Sequence, residues 1–196
     1  MSWLFVHVLK SVFYVFVLDI DIPSYWHEAF PAVDRKWIAR ALFSLSPQGN
    51  NIINPAKANQ LWYSPPKPQP LGITKPKLEW YFGHRVIFWQ PRRLWSIDFK
   101  CPGCLGEMKA SGLHRTVREV LDIDSHYILL GESYKCKTCG RNEISWNRAM
   151  LNQLDPGHRS YFPIRMLYKT ACDVRVVRLL RQRGLGKYTF CSHFFC

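Results

Sequence analysis

From Trp3 to Leu18 the chain reads WLFVHVLKSVFYVFVL, apolar throughout except at His7, Lys10 and Ser11. The run is shorter than the roughly 20 apolar residues that a membrane-spanning helix needs. A signal peptide carries a basic region ahead of its apolar stretch and small residues at a cleavage site, whereas here Lys10 interrupts the stretch and DIDIPSYW follows it. The pattern reads as a buried strand or helix, or as a leader outside the folded domain, with membrane or secretory targeting as the alternative. Further on, DRKWIARALFS at 34–44 places Trp37, Ile38, Ala41 and Leu42 at helical spacing behind an aspartate suited to capping, which predicts a short helix. The proline-rich stretch from Pro47 to Lys77, with SPPKPQP at 64–70, predicts an ordered loop or linker, because each proline fixes its φ and removes a ladder donor.

The period then changes to two. In WSIDFK at 95–100, Trp95, Ile97 and Phe99 alternate with Ser96, Asp98 and Lys100, which predicts a strand with one buried face leading into Cys101. TVREVLDI at 116–123 and HYILLGESYK at 126–135 are rich in β-branched and aromatic residues, and Asp122 to Ser125 supplies the turn of a hairpin between them. EISW at 143–146 adds another strand.

Beyond Trp146 the texture is that of three or four short helices, in SWNRAMLNQL, DPGHRSYF, PIRMLYKTA and DVRVVRLLRQRG. Ser145, Asp155 and Asp173 suit caps, and Pro156 and Pro163 suit first-turn positions. In the last segment Val176, Val177, Leu179 and Leu180 fall opposite Arg175, Arg178 and Arg181, and Gly184 suits a left-handed stop. KYTFCSHFFC has no usable period, and no internal repeat is visible.

A chain of 196 residues buries one ordinary core, or a core plus a small module, which excludes a large multidomain enzyme. A hydrophobic content of 47% with 15% aromatics is too rich for general disorder, while 13 prolines and 11 glycines imply many loops. The 27 Lys and Arg outnumber 14 Asp and Glu, a net +13 that favours polyanionic partners, either nucleic acid or an anionic membrane. The excess is concentrated: from Lys135 to Lys187, 12 Lys or Arg stand against Glu143, Asp155 and Asp173.

Seven cysteines is an odd number, and four of them form two C-x-x-C pairs, a poor layout for a secreted disulfide scaffold and a good one for thiolate metal binding. That layout points to a reducing compartment, nucleus or cytosol. Zinc takes four thiolates tetrahedrally, and each C-x-x-C turn places two sulfurs on one metal. The ligands are therefore Cys101, Cys104, Cys136 and Cys139, with the glycines of CPGCLG and CKTCG suited to positive φ in the knuckle turns. The interval between the pairs exceeds the compact spacing of about 15–20 residues, but a two-stranded hairpin fills it. Four thiolates close the coordination shell, so the Zn²⁺ would be structural, with no open position for catalysis.

CPGC after a strand also fits a redox dithiol, although LGEMKASG lacks the helix that would lower a thiol pKa, and the second pair has no use in such an enzyme. Structural disulfides are the remaining alternative. His114 and His126 are candidates to replace a thiolate, but each reads more simply as a surface or hydrogen-bonded residue. Cys172 reads as a small buried apolar residue. No phosphate-binding glycine loop, G-x-S-x-G or H-E-x-x-H is present, and Asp122 with Asp124 reads as turn chemistry. No small-molecule substrate is evident.

The fold class that follows is α+β: a loop-rich N-terminal part, a zinc-ribbon-like antiparallel hairpin or small sheet, and a cluster of short helices. The chain divides into an apolar leader (1–20), an extension with a short helix and the proline-rich linker (21–85), the ribbon-like module (86–146), a basic helical segment (147–186) and an irregular tail (187–196).

FWQPRRLW, CPGC, TVREVLDIDSHYILLGESYKCKTCG, SWNRAMLNQLDPGHRSYFP and DVRVVRLLRQRGLG together resemble the domain of unknown function family 6729, over roughly residues 35–186. The resemblance implies a eukaryotic, fish-rich family associated with mobile elements, in which the paired cysteines look like a zinc-ribbon site. It also implies that family members continue past the arginine-rich helix, so that a chain departing at KYTFCSHFFC is a fragment or an altered gene product. The apolar leader has no counterpart in it.

Two functions compete. Nucleic-acid binding, to DNA or RNA, is motivated by the basic excess and by Arg175, Arg178, Arg181 and Arg183, which would contact phosphates, with Trp146 or Tyr161 as candidates to stack on bases. A protein–protein interaction module is motivated by the Trp- and Arg-rich FWQPRRLW, where Trp89 and Trp95 would form the surface.

Overall fold

The computed structural model describes residues 20–67, 83–168 and 170–183. The apolar run at Trp3–Leu18, the proline cluster beyond Lys67, Gly184 and the tail with Cys191 and Cys196 lie outside the described residues. Among the described residues no helix is long and apolar enough to cross a membrane.

The chain is α+β, with a small antiparallel sheet and a larger curled one. A 3₁₀ turn at Ser24–Trp26 precedes α1 (Ala32–Leu42), and β1 (Phe43–Leu45) pairs with β2 (Asn51–Ile53) through a turn in which Gly49 takes φ 79°. β3 (Trp62–Tyr63) and β4 (Arg85–Trp89) lead into α2 (Pro91–Trp95), followed by β5 (Met108–Leu113), β6 (Arg118–Leu121), β7 (His126–Cys136) and β8 (Asn142–Ile144). Then come α3 (Arg148–Leu151), α4 (Pro156–Ser160), β9 (Ile164–Met166), β10 (Ala171–Asp173) and α5 (Val174–Gln182).

β7 is the spine. Its first half pairs antiparallel with β6 and parallel with β4; its second half pairs antiparallel with β5 and β8. The stretch Met108–Leu121 thus runs back along β7 as one long, irregular hairpin, closed where Asp122 N donates to Ser125 O at 2.8 Å. This is the hairpin expected between the cysteine pairs. A bulge interrupts β5 between Ala110 and Leu113, where Gly112 adopts φ 91°. β10 joins the outer edge parallel to β6 and antiparallel to β9.

Both faces of the sheet are covered, and strict alternation sorts the side chains. Val86 and Phe88 of β4 and Ile128 and Leu130 of β7 face a core with Trp26, Phe30, Ile38, Leu42 and Phe43. Ile87, Trp89, Tyr127 and Leu129 face the opposite core, with Phe99, Met108, Trp146, Met150 and Leu154. Burial on both faces explains why VIFW (86–89) and YILL are continuous apolar runs rather than alternating ones.

Several local expectations are corrected. WSIDFK is not a paired strand: Trp95 ends α2, Ser96 turns through φ 54°, and pairing is limited to a bridge between Lys100 and Glu107. The alternation was real, since Phe99 is buried and Asp98 exposed, but an extended segment needs a neighbour to become a strand. Asp34 is not the cap of α1; Pro31 holds that position. The Asp34 carboxylate is fully buried and accepts from Trp37 Nε1 (2.8 Å), His84 N (3.0 Å) and His84 Nδ1 (2.7 Å). Asn147 rather than Ser145 caps α3, whereas Asp155 and Asp173 do cap α4 and α5, with Pro156 opening α4. PIRMLYKTA is the β9–β10 hairpin instead of a helix, and Pro163 precedes a strand.

Candidate metal centre

The two knuckles stand at the end of the β5–β7–β8 ribbon. β7 carries the chain into Cys136, and the Lys100–Glu107 bridge clasps the first knuckle at its base. Met108 pairs with Cys136 in the β5–β7 ladder, which sets the two turns face to face. The turns share one geometry. Leu105 N donates to Cys101 O at 2.9 Å, and Gly140 N donates to Cys136 O at 3.2 Å. In each, the residue just after the second cysteine has positive φ: Leu105 at 60° and Gly140 at 73°.

The glycine expectation is therefore met at Gly140 and displaced by one position in the first knuckle. Gly106 serves close approach instead. A Cβ there would lie 2.4 Å from Thr138 Oγ1 and 3.2 Å from Cys136 Sγ.

All four sulfurs, of Cys101, Cys104, Cys136 and Cys139, lie within 4.8 Å of one another. Two close contacts cross between the knuckles, Cys101 Sγ to Cys139 Sγ at 3.6 Å and Cys104 Sγ to Cys136 Sγ at 3.4 Å. Tetrahedral zinc with Zn–S bonds of about 2.3 Å separates its sulfurs by about 3.8 Å, so the donor set fits a metal ion. Backbone amides are aimed at the sulfurs: Thr138 N and Cys139 N reach Cys136 Sγ at 3.4 and 3.5 Å. The Cys139 and Thr138 amides hold the Cys136 thiol down at about 6, and the Gly103 and Cys104 amides lower Cys101 in the same way. The Gly106 amide pulls on Cys104 too, yet donation to Cys136 and Cys139 pushes that thiol up to about 12.

Neither His114 nor His126 joins the cluster. His114 Nδ1 accepts from Thr116 N at 3.0 Å and its ring meets Trp146 edge-on, while His126 lies 3.9 Å from Glu119. Among the described residues no helix directly follows CPGC, so no helix N-terminus faces these thiols. Cys172 is buried in β10.

The first arginine of the α5 row sits in an ion-pair network. Arg175 pairs with Asp122, and its Nε lies 3.4 Å from Asp173 Oδ1; both aspartates are buried. Arg85 reaches the same Asp122 at 3.1 Å and lies over the Trp62 ring, and Tyr127 Oη donates to Asp173 at 2.8 Å. Asp122 is thus the centre of an ion-pair network as well as a turn residue. Arg178, Arg181 and Arg183 are exposed.

Of the aromatic candidates, Trp146 and Trp89 are buried, and Trp89 Nε1 donates to Ser145 O at 3.1 Å. Tyr161 is 57% exposed. The pattern gave no hint of a cavity of about 610 Å³ lined by Phe30, Arg35, His84, Val117 and Glu119, where the buried Asp34 orients His84.

A family model described as Domain of unknown function (DUF6729) matches residues 26–192. No curated protein and no solved structure matches the chain.

Proposed function

The chain belongs to the DUF6729 family, a domain of unknown function, and from its own site we propose a zinc-ribbon-like domain whose metal is structural and whose basic surface binds nucleic acid. The observation that carries the metal is the set of four sulfurs within 4.8 Å, drawn from two turns of matching geometry with amides directed at Cys101 and Cys136. A closed thiolate shell contributes folding energy and leaves no position for substrate. The function then lies elsewhere on the surface. The net +13 and the exposed Arg178, Arg181 and Arg183 support a polyanionic partner. A thiolate site of this kind fits the nucleus or cytosol, and the mobile-element context suggested by the sequence resemblance belongs to the same proposal.

Metal analysis of the purified protein is the test. One zinc per chain is expected in the wild type, and loss of it in Cys104→Ser and Cys139→Ser; a metal-free, folded wild type overturns the ribbon. For the nucleic-acid arm, affinity for DNA and RNA measured across salt should fall steeply. Arg178→Gln with Arg183→Gln should reduce the log–log slope by about 1.4–1.8; salt-independent or absent binding rejects it.

A protein-docking module is the second reading, favoured by one observation. Leu105 is 76% exposed at the tip of the first knuckle although its backbone is left-handed, where a leucine is costly. A partner captured equally well after nuclease treatment, and lost on Leu105→Ser, would decide for that reading.

A further inference from the structure

α4, Tyr161 after it and the end of α2 build an aromatic surface that the metal site and the α5 arginines do not use. Trp95, at the end of α2, packs against the His158 ring at 4.8 Å and the Tyr161 ring at 5.6 Å. Behind it, Trp95 rests on Trp89 at 5.6 Å, and Trp89 is fully buried and tied to Ser145 through its indole N–H. The surface is therefore braced from below. Its most exposed ring, Tyr161, is 57% exposed and follows the C-terminal end of α4, the helix whose N-terminus is capped by Asp155, which also pairs with His158. Such exposure leaves part of the residue open to solvent while its ring packs against Trp95.

The chain entering the first knuckle is fastened to the helical segment nearby. Lys100 N donates to Gln153 Oε1 at 2.8 Å, and Gln153 Nε2 donates back to Lys100 O at 2.9 Å, so the residue before Cys101 is fastened to the chain just after α3. The local charge suits an anion. Of the six Lys or Arg in residues 91–100 and 147–168, Arg92 and Arg93 pair with Glu107 and Glu132 from outside these segments, while Lys100, Arg159 and Arg165 are exposed; the acids within the segments are Asp98 and Asp155. Both acids are paired, Asp98 with Arg92 at 3.1 Å and Asp155 with His158.

We propose that Trp95, His158 and Tyr161 form a stacking platform for a base of single-stranded nucleic acid, with the exposed Arg159, next to His158 in the chain, for the backbone. The proposal rests on the nucleic-acid reading above and sharpens it. A ring can stack only on a base whose face is free, so single strands are accepted and the closed stack of a duplex is not. Backbone charge contacts from the rest of the surface serve both forms alike.

The test uses the zinc-loaded full chain, a labelled oligothymidylate and a loop-free, blunt-ended duplex of matched length, at fixed low salt. Replacing a stacking ring by alanine costs about five- to a hundredfold in affinity per base. Tyr161→Ala should show that loss on the oligothymidylate, with Tyr161→Phe within about twofold of wild type and the duplex affinity of both within about twofold. Should Tyr161→Ala fail to fold, Tyr161→Leu against Tyr161→Phe makes the same comparison at preserved apolar volume. Equal oligothymidylate affinity for ring-bearing and ringless variants overturns the platform while leaving the nucleic-acid reading intact. Equal weakening on single strand and duplex overturns it too. A wild type that binds neither probe removes the nucleic-acid reading itself, and the platform with it.

Discussion

Gly131 sits midway along β7, and a Cβ added to it would lie 2.3 and 2.4 Å from Cζ3 and Cε3 of Trp146 and 2.7 Å from Ser145 Oγ. Those positions cannot all be occupied, so Gly131→Ala forces the indole aside by about an ångström, starting from a packing density that leaves no slack. Trp146 is almost wholly buried in the core that carries the knuckle cysteines, so it has little room to move. Overpacking of this kind costs about 1–3 kcal/mol. The Ser145 hydroxyl is caught in the same shift. It donates to Trp89 O at 3.0 Å and accepts from Glu132 N at 3.1 Å, and each bond is worth about 1 kcal/mol. Against this, the alanine restricts the unfolded chain and returns about 0.4–1 kcal/mol.

The balance is a loss of about 2–4 kcal/mol, or roughly 5–15 °C in Tm for a chain of this size. Urea unfolding of the metal-loaded protein, followed by tryptophan fluorescence, measures it. The same substitution in a Trp146→Leu background should cost less than about 1 kcal/mol, because the obstructing ring is gone. A loss below about 1 kcal/mol in the wild-type background, or the same loss in both, would refute the reasoning.

Two further outcomes follow from buried charge and backbone conformation. Burial raises the folded-state pKa of Glu132 despite the opposing Arg93 beside it, so in the folded chain the proton is released at higher pH than in the unfolded one. The contribution of Glu132 to stability is then greatest below its unfolded value and falls as pH rises through the folded value. Glu132→Gln should gain stability relative to wild type as pH rises from acid to neutral in urea titrations; a difference that stays flat or shrinks with pH contradicts the assignment. Leu105→Gly should raise stability by about 0.5–1 kcal/mol, the relief of a left-handed leucine less the extra freedom of glycine in the unfolded chain. An unchanged or lower urea midpoint at equal metal content would show that the leucine carries no such cost.

What the linear chain decided by itself is what depends on neighbours in sequence. Cys101 with Cys104 and Cys136 with Cys139 are legible because a knuckle is a local turn, and two residues of spacing suffice to place two sulfurs together. The Asp122–Ser125 hairpin, the Asp155 and Asp173 caps and the amphipathic α5 are legible for the same reason. The tertiary structure decided everything that needs a partner from afar. WSIDFK alternates but lacks a ladder, while VIFW of β4, with no turn linking it to β7, runs parallel to β7 and is buried on both faces. Asp34 looked like a cap and became the buried acceptor for His84, fifty residues on. Arg175 looked like its neighbours in the row, yet it is the one drawn to Asp122 and Asp173, whereas Tyr161 was left exposed and Trp146 was buried. Periodicity records that a residue faces inward or outward; which surface awaits it there depends on how distant strands and helices meet, and that is settled only when the whole chain has packed.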